Sequence, residues 1–185
     1  MRLFVAVDLE PELRETVMNV ENNIRKAGAD VKLVKPENLH FTVNFLGEVP
    51  ESDVERIGDI VCEEASKFTQ FRISIQGAGY FGSPGRIRTL WLGVKKGKEH
   101  FTELVNALGK ALNNPNRKQA SIHLTVGRVK SGKNREELLH EIARMKDVNI
   151  GEMTVKHVKL KKSVLERTGP MYTDIKVCRL RQLHE

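Results

Sequence analysis

The chain has 185 residues, of which 39% are hydrophobic and 30% charged, a composition that fits a globular protein and excludes a disordered one. Lysine and arginine outnumber aspartate and glutamate by 31 to 24, which suits a polyanionic partner such as RNA, although many basic proteins bind nothing acidic. The apolar run at residues 3–7 is too short for a signal peptide, and no apolar stretch reaches the length of a membrane span. Cys62 and Cys178 are too few and too far apart for a disulfide framework or a zinc site. We therefore expect a cytoplasmic monomer that makes no contact with a membrane.

The first half of the chain alternates between strand-like and helix-like hydrophobic patterns. An apolar run predicts a strand over residues 2–8, and apolar residues at three- and four-residue spacing predict a helix over 11–27. A strand over 39–46 follows, and then a helix over 51–67 that is predicted to begin at a Ser52 cap.

The second half repeats this order of elements. Strands are predicted at 71–77 and 88–95, on either side of a glycine-rich stretch at 77–85. That stretch invites comparison with a phosphate-binding loop, but it lacks the Walker lysine and a following helix, so we interpret it as a mobile hairpin connection. The remaining predicted elements are, in order, a helix over 97–112, a strand over 121–129, a helix over 135–145 and strands over 153–160 and 171–179.

The pattern His-apolar-Thr-apolar occurs twice, at residues 40–43 (HFTV) and 123–126 (HLTV), each time inside a predicted strand. Side chains alternate between the two faces of a strand. In the first copy His40 and Thr42 therefore share one face, and Phe45 is predicted to lie on the apolar face opposite.

The second copy has the same parity, with His123 and Thr125 on one face. For a single copy, a solvated or hydrogen-bonded surface histidine is the ordinary interpretation. Two copies in matched apolar surroundings instead indicate an active site, in which two imidazole and hydroxyl pairs bracket one small anion.

The repeated order of elements around the two motifs predicts an internal repeat. We expect a single bilobal domain over 1–185 of the α+β class, with two similar lobes related by a pseudo-twofold axis. Each lobe is predicted to have an antiparallel or mixed sheet with helices on its outer face, so that the two motif strands face a central groove.

Two histidines are suited to opening a phosphodiester, which requires a base for the attacking oxygen and an acid for the departing one. An ordinary histidine pKa near 6.5 allows one ring to be neutral while the other is protonated. Thr42 and Thr125 could donate hydrogen bonds to the non-bridging oxygens. We expect no metal and no other cofactor, because the remaining histidines lie in helical, polar or terminal contexts typical of a solvated surface: His100, His140, His157 and His184.

Arg128 is a candidate phosphate-binding residue, because its guanidinium can hold a phosphate through two hydrogen bonds. Counted from His123, however, Arg128 has core-side parity. It reaches the groove only if the strand bends or bulges at Gly127.

Three aromatic residues are candidates for stacking on a terminal base, a sequence-tolerant way of holding single-stranded RNA: Phe45, Tyr80 and Phe81. Packing in the core is the alternative interpretation for each of them.

These residues resemble the two-histidine phosphoesterase superfamily, and more narrowly the RNA 2′,3′-cyclic phosphodiesterases, also called 2′-5′ RNA ligases. The paired motifs are the specific part of the resemblance. The segments that carry it are residues 2–7, 40–47, 79–82, 88–91, 123–128, 163–165 and 169–172.

The resemblance implies metal-independent hydrolysis of a terminal RNA 2′,3′-cyclic phosphate to a 2′-phosphate. It also implies that His40 donates a proton to the leaving 3′ oxygen and that His123 is the base for water; the residues themselves look symmetric. Reversible joining of tRNA halves through a 2′-5′ link would use the same chemistry. The alternatives are a two-histidine phosphoesterase that acts on another cyclic phosphate or small nucleotide, and a non-catalytic RNA-binding module.

Overall fold

Nine strands and four α-helices make up the part of the chain that the computed structural model describes, residues 1–114 and 121–183. The strands are β1 (Arg2–Asp8), β2 (Val31–Leu33), β3 (His40–Glu48), β4 (Phe71–Ser83), β5 (Arg86–Val94), β6 (His123–Val129), β7 (Asn149–Val155), β8 (His157–Glu166) and β9 (Gly169–Arg179). The helices are α1 (Arg14–Lys26), α2 (Val54–Ala65), α3 (Lys98–Ala111) and α4 (Arg135–Arg144), and short 3-10 turns lie at Pro11–Leu13, Pro36–Asn38 and Glu51–Asp53.

All nine strands join one antiparallel sheet, in the order β7-β4-β5-β6-β3-β1-β8-β9, with β2 also paired to β6. The two motif strands, β3 and β6, are therefore neighbours at the centre of the sheet. The predicted α+β class is confirmed. The motif strands lie side by side in one continuous sheet.

The helices are arranged symmetrically about the central strand pair. Helix α1 packs on β6 and α3 packs on β3, so each helix that precedes a motif strand in sequence packs on the other motif strand. Helix α2 covers β8 and β9, and α4 covers β4. One face of the central strands is thus buried under helices, where Phe41 and Phe101 meet edge to face with ring centroids 5.4 Å apart.

The glycine-rich stretch is mostly strand, so the predicted hairpin connection over 77–85 was too long. Residues 77–83 belong to β4, and only Pro84 and Gly85 form the hairpin turn to β5. The glycines serve close packing: a Cβ at Gly79 would collide with the indole of Trp91 on the paired strand.

Three smaller predictions also need correction. The C-terminal region has three strands and not the two predicted. The predicted strand over 153–160 is interrupted at Lys156, between β7 and β8, where no turn residue marks the boundary in the sequence. Strand β2 was not predicted, because three residues show too little alternation. Ser52 does not cap α2; it lies within a 3-10 turn, and the helix begins at Val54 without a side-chain cap.

Cys62 on α2 and Cys178 on β9 form a single disulfide across 116 residues, which the sequence analysis did not predict. A separation of this length gives no sequence signal. The two residues meet because α2 packs on β9, and Cys178 is fully buried there.

No helix within residues 1–114 and 121–183 is both long and apolar enough to cross a membrane.

Reduction of the disulfide should destabilise the protein by about 2–4 kcal/mol, because the bond restricts a long loop of the unfolded chain. Urea unfolding followed by circular dichroism, with and without reductant, measures this difference. A Cys62→Ser/Cys178→Ser double variant is the control and should not respond to reductant. An unfolding midpoint of the native chain that is insensitive to reductant, with two titratable thiols in the unreduced protein, would contradict the pairing.

Candidate active site

The two motifs are brought together by one residue pair, Phe41 on β3 opposite Leu124 on β6. Both side chains are buried on the helix-covered face. Because the strands are antiparallel, continuing this register by one residue in each direction places His40 opposite Thr125, and likewise places Thr42 opposite His123 on the other side of the pair. The pairing therefore sets the two motifs side by side, with the histidines and threonines less buried than Phe41 and Leu124.

The backbone orients the His40 ring. Its Nδ1 donates a hydrogen bond of 2.7 Å to the carbonyl of Asn38, at the end of the 3-10 turn that precedes β3. A carbonyl only accepts, so Nδ1 carries the proton of the neutral ring. The remaining nitrogen, Nε2, lies 3.0 Å from the hydroxyl of Thr42 and accepts from it when the ring is neutral.

The His123 ring is held in the same way. Its Nδ1 donates a hydrogen bond of 2.7 Å to the carbonyl of Ser121. In both motifs the accepting carbonyl therefore belongs to the residue two positions before the histidine. The ring edge of Phe81 supports the His123 ring, with centroids 4.8 Å apart. Both imidazoles thus donate Nδ1–H to the backbone, so Nε2 is the nitrogen that can accept a proton in each neutral ring.

Burial lowers the pKa of both histidines below the ordinary value of 6.5, and the hydrogen bonds to Asn38 and Ser121 oppose this shift. The positive charge of Arg128 also lowers the pKa of both rings. Without a bound anion, the site therefore favours two neutral imidazoles at neutral pH.

Arg128 reaches the groove through a bulge. Leu90 of β5 pairs with Gly127 while the next residue, Trp91, pairs with Thr125, so one residue of β6 is skipped. The bulge reverses the parity of the strand, and Arg128 is exposed on the same face as the motif side chains.

A groove runs beside the motif pair and is lined by His40, Thr42, Thr125 and Arg128. His123 lines a different cavity, together with Trp91. The two histidines therefore lie on paired strands but line separate cavities.

Phe45 lies in the groove and is 46% exposed, so the core-side parity predicted for it was wrong. The cause is a pair of register shifts between β1 and β3, which break the alternation after Val43. The guanidinium of Arg2 lies over the Phe45 ring, 5.1 Å from its centroid. Tyr80, in contrast, is half-buried against the core.

Tyr172 is a groove residue that the sequence did not single out. Its ring lies edge-on to that of His40, with centroids 5.4 Å apart, and packs on Phe4 at 5.0 Å. Strand β9 brings it there through its pairing with β8, so only long-range topology places it beside the motif.

A charge cluster beside His40 was also not predicted. The side chain of Lys161 is buried, with Nζ 2.9 Å from Asp8 and 2.8 Å from Asp174. Lys159 bridges the same two carboxylates at 2.8 and 2.9 Å. Asp8 pairs with His40 in the sheet, and the two charges act on the ring in opposite directions: Lys161 lowers its pKa and Asp8 raises it.

The other histidines lie apart from the groove: His100 and His140 are exposed and His157 is half-buried, while His184 falls outside the described residues. Among residues 1–114 and 121–183, no three His, Cys, Asp or Glu side chains are grouped so that they could hold a metal ion.

The sequence is similar to known phosphoesterases. The family described as LigT like phosphoesterase matches residues 7–91. The RNA 2′,3′-cyclic phosphodiesterase of Methanothermobacter thermautotrophicus is 43% identical over 184 residues, covering 97% of this chain and 99% of the relative. The protein of the same name from Archaeoglobus fulgidus is 40% identical over 180 residues, covering 96% of this chain and 99% of the relative.

Solved structures agree in fold. A crystal structure of a Thermus thermophilus protein has a TM-score of 0.82 at 29% identity, covering 100% of both chains. The crystal structure of E. coli LigT complexed with phosphate has a TM-score of 0.74 at 24% identity, covering 98% of both chains. The fold and the paired motifs thus define a two-histidine phosphoesterase. The chain belongs to the LigT-like phosphoesterase family and is a hydrolase, which confirms the resemblance found in the sequence.

Replacement of Arg128 by glutamine should raise the pKa of both His40 and His123, because it removes a positive charge that disfavours both imidazolium forms. NMR titration of the imidazole carbons measures the two values, with resonances assigned from single histidine variants. Lys26→Gln is the control, an exposed charge at the end of α1 that should leave both titrations in place. Unchanged or lowered values in Arg128→Gln would show that the guanidinium does not act on the rings.

Proposed function

We propose that this protein hydrolyses the terminal 2′,3′-cyclic phosphate of RNA to a 2′-phosphate by acid-base catalysis between His40 and His123. The observation that carries the proposal is the pairing of Phe41 with Leu124, which brings together two strands whose histidines both donate Nδ1–H to the backbone and so have Nε2 as their proton-accepting nitrogen. The basic groove and the names of the relatives support RNA as the substrate.

In the proposed reaction, a water molecule attacks phosphorus and loses a proton to Nε2 of His123. The bond between phosphorus and the ribose 3′ oxygen breaks, and protonated His40 supplies the proton that makes this oxygen a hydroxyl. The 2′-oxygen bond is kept, so the product carries a 2′-phosphate. Exchange of protons with solvent then returns His40 to its charged form and His123 to its neutral form. The assignment of acid and base follows the family resemblance.

The substrate itself helps to set these protonation states. Burial and Arg128 lower the pKa of both rings in the empty site, whereas a bound phosphate anion favours the charged forms. Binding should therefore raise both values, coupling protonation of His40 to the arrival of substrate. The pH profile of the rate should be bell-shaped, because one ring must be neutral while the other is charged.

Thr42, Thr125 and Arg128 are the proposed donors to the non-bridging phosphate oxygens. All three line the groove, and the hydroxyls lie beside the imidazoles. With these donors holding the developing charge, and two imidazoles moving the protons, we propose that neither a metal nor another cofactor takes part.

The terminal nucleoside would occupy the aromatic side of the groove. Phe45 is exposed there and Tyr172 lines the groove, so a base could stack on either ring. Phe81 instead supports His123, and Tyr80 packs against the core, so we assign neither to base stacking.

Joining of RNA ends through a 2′-5′ link would use the same site, with an RNA 5′-hydroxyl in place of water. The cavity on the His123 side favours this second activity, because Lys95, Lys98 and Lys146 line it and could hold a second strand. The tRNA halves that end in a cyclic phosphate and a 5′-hydroxyl have the required chemistry.

We also propose that the enzyme acts as a monomer in the cytoplasm. The groove, the motifs and the donors all come from one chain. The Cys62–Cys178 disulfide is unusual for a cytoplasmic protein, although intracellular proteins of hyperthermophilic archaea and bacteria are disulfide-rich.

The test is incubation with a short RNA ending in a 2′,3′-cyclic phosphate, in the presence of EDTA, followed by identification of the product end. The proposal requires a 2′-phosphate, with a 2′-5′ joined product when a 5′-hydroxyl RNA is added. Activity that is lost with EDTA and restored by zinc or magnesium would refute the metal-free mechanism. Hydrolysis only of small cyclic nucleotides would favour the alternative two-histidine phosphoesterase, and binding without hydrolysis would favour the RNA-binding module.

His40→Ala and His123→Ala should each lower kcat by about 10²–10⁴-fold, because each removes one proton-transfer group. Both variants should remain folded. Rates on the cyclic phosphate RNA, together with circular dichroism of each variant, test this. His140→Ala is the matched control, an exposed histidine on α4. Retained activity in the double histidine variant, or a loss explained by unfolding, would refute the assignment.

Thr42→Ala and Thr125→Ala should be milder, at most about 10²–10³-fold each, because other donors share the phosphate oxygens. Thr→Ser at the same positions should recover most of the rate. A serine variant as impaired as alanine would show that the hydroxyl is not the contributing group.

A further inference from the structure

A second basic cavity adjoins the catalytic groove, at the C-terminal end of β6. Both cavities are lined by Lys130, which follows the last residue of that strand. The groove contributes the cations Arg2, Lys32, Lys35 and Arg128, and the second cavity contributes Arg86, Arg88, Lys133 and Arg135.

Among the described residues, no aspartate or glutamate lines either cavity. A random draw from the 31 cations and 24 carboxylates of the chain would give nine cations and no acid only about once in three hundred draws, so this separation of charge is not a consequence of composition. Nor does any of the nine pair with a carboxylate of residues 1–114 and 121–183. Their charge is therefore available to a ligand.

The backbone holds part of this surface in place. The guanidinium of Arg135 donates a hydrogen bond of 2.9 Å to the carbonyl of Gly85, which ties the start of α4 to the β4–β5 turn. Lys32 and Arg128 are paired on adjacent strands, so their charges lie side by side in the groove. Cations that are held in place bind phosphates better than mobile ones, because less side-chain entropy is lost.

We propose that these nine residues form one tract that binds the RNA strand upstream of the cyclic phosphate, with the second cavity holding phosphates several nucleotides from the reacting end. The inference rests on the proposed function. Lys130 lies five residues beyond Thr125, roughly 16 Å at 3.3 Å per strand residue. Phosphates along one strand of a DNA duplex are spaced about 3.4 Å apart on the helix axis, and at that spacing about five nucleotides span the distance.

The tract gives the enzyme a preference for polymeric RNA over mononucleotides. A nucleoside 2′,3′-cyclic monophosphate reaches only the catalytic groove, whereas a hexanucleotide also contacts the second cavity. Removal of charge from the second cavity therefore weakens binding of the longer substrate alone.

The experiment compares these two substrates in wild type and in Arg86→Gln/Lys133→Gln, which alters two exposed side chains of the second cavity. The kcat/KM for the hexanucleotide should fall about tenfold and that for the mononucleotide less than twofold. The slope of log KM against log salt for the hexanucleotide should fall by about 1.4, because each phosphate of a single strand that a cation neutralises accounts for about 0.7. Lys26→Gln/Lys110→Gln is the matched control, two exposed lysines on α1 and α3 away from both cavities.

Equal losses on both substrates, equal losses in the control variant, or no loss on the hexanucleotide would each overturn the tract. If wild type hydrolyses neither substrate, the proposed function fails, and the tract is tested by fluorescence anisotropy of a labelled hexanucleotide ending in a 2′-phosphate. Weaker binding by Arg86→Gln/Lys133→Gln, but not by the control, supports it, and equal binding by all three proteins overturns it.

Discussion

The antiparallel contact between β3 and β6 is the constraint on which the rest of the site depends. Phe41 and Leu124 are fully buried on its helix side, and burying each side chain stabilises the fold by about 1.5–3 kcal/mol. A slip of one residue would turn Phe41 into the groove and His40 into the core, losing that energy and burying an imidazole as well. The apolar residues between the histidines and threonines thus hold the motif side chains in register.

Bulges in the strands bring further side chains to the site. Bulges bring Phe45 and Arg128 to the groove face, although regular alternation would place both in the core. The proposed acid-base residues therefore lie in two short motifs that the sequence shows directly, while the positions of Phe45 and Arg128 depend on where each strand breaks its alternation. Burial lowers the pKa of both histidines, and the positive charge of Arg128 lowers both further.

Sequence patterns were sufficient for the motifs, the four helices and the α+β class, because hydrophobic periodicity is local. They were not sufficient where the deciding contact is distant in sequence. Tyr172, the cluster around Lys161 and the disulfide at Cys178 all depend on the pairing of β8 with β1, from the other end of the chain, and of β9 with β8. The glycine-rich stretch was misjudged for a related reason, since Gly79 packs against Trp91 and is not in a turn.

The most direct test of the central claim is a crystal structure with a bound nucleoside 2′-monophosphate, the proposed product. The phosphate should lie between the two imidazoles, with Nε2 of His40 and Nε2 of His123 each within hydrogen-bond distance of its oxygens and the Thr42 and Thr125 hydroxyls on the remaining ones. Two results would contradict acid-base catalysis by two histidines at a single site. One is a phosphate that contacts only one imidazole, and the other is a phosphate that binds in the cavity of Arg86 and Lys133 and leaves the motif pair empty.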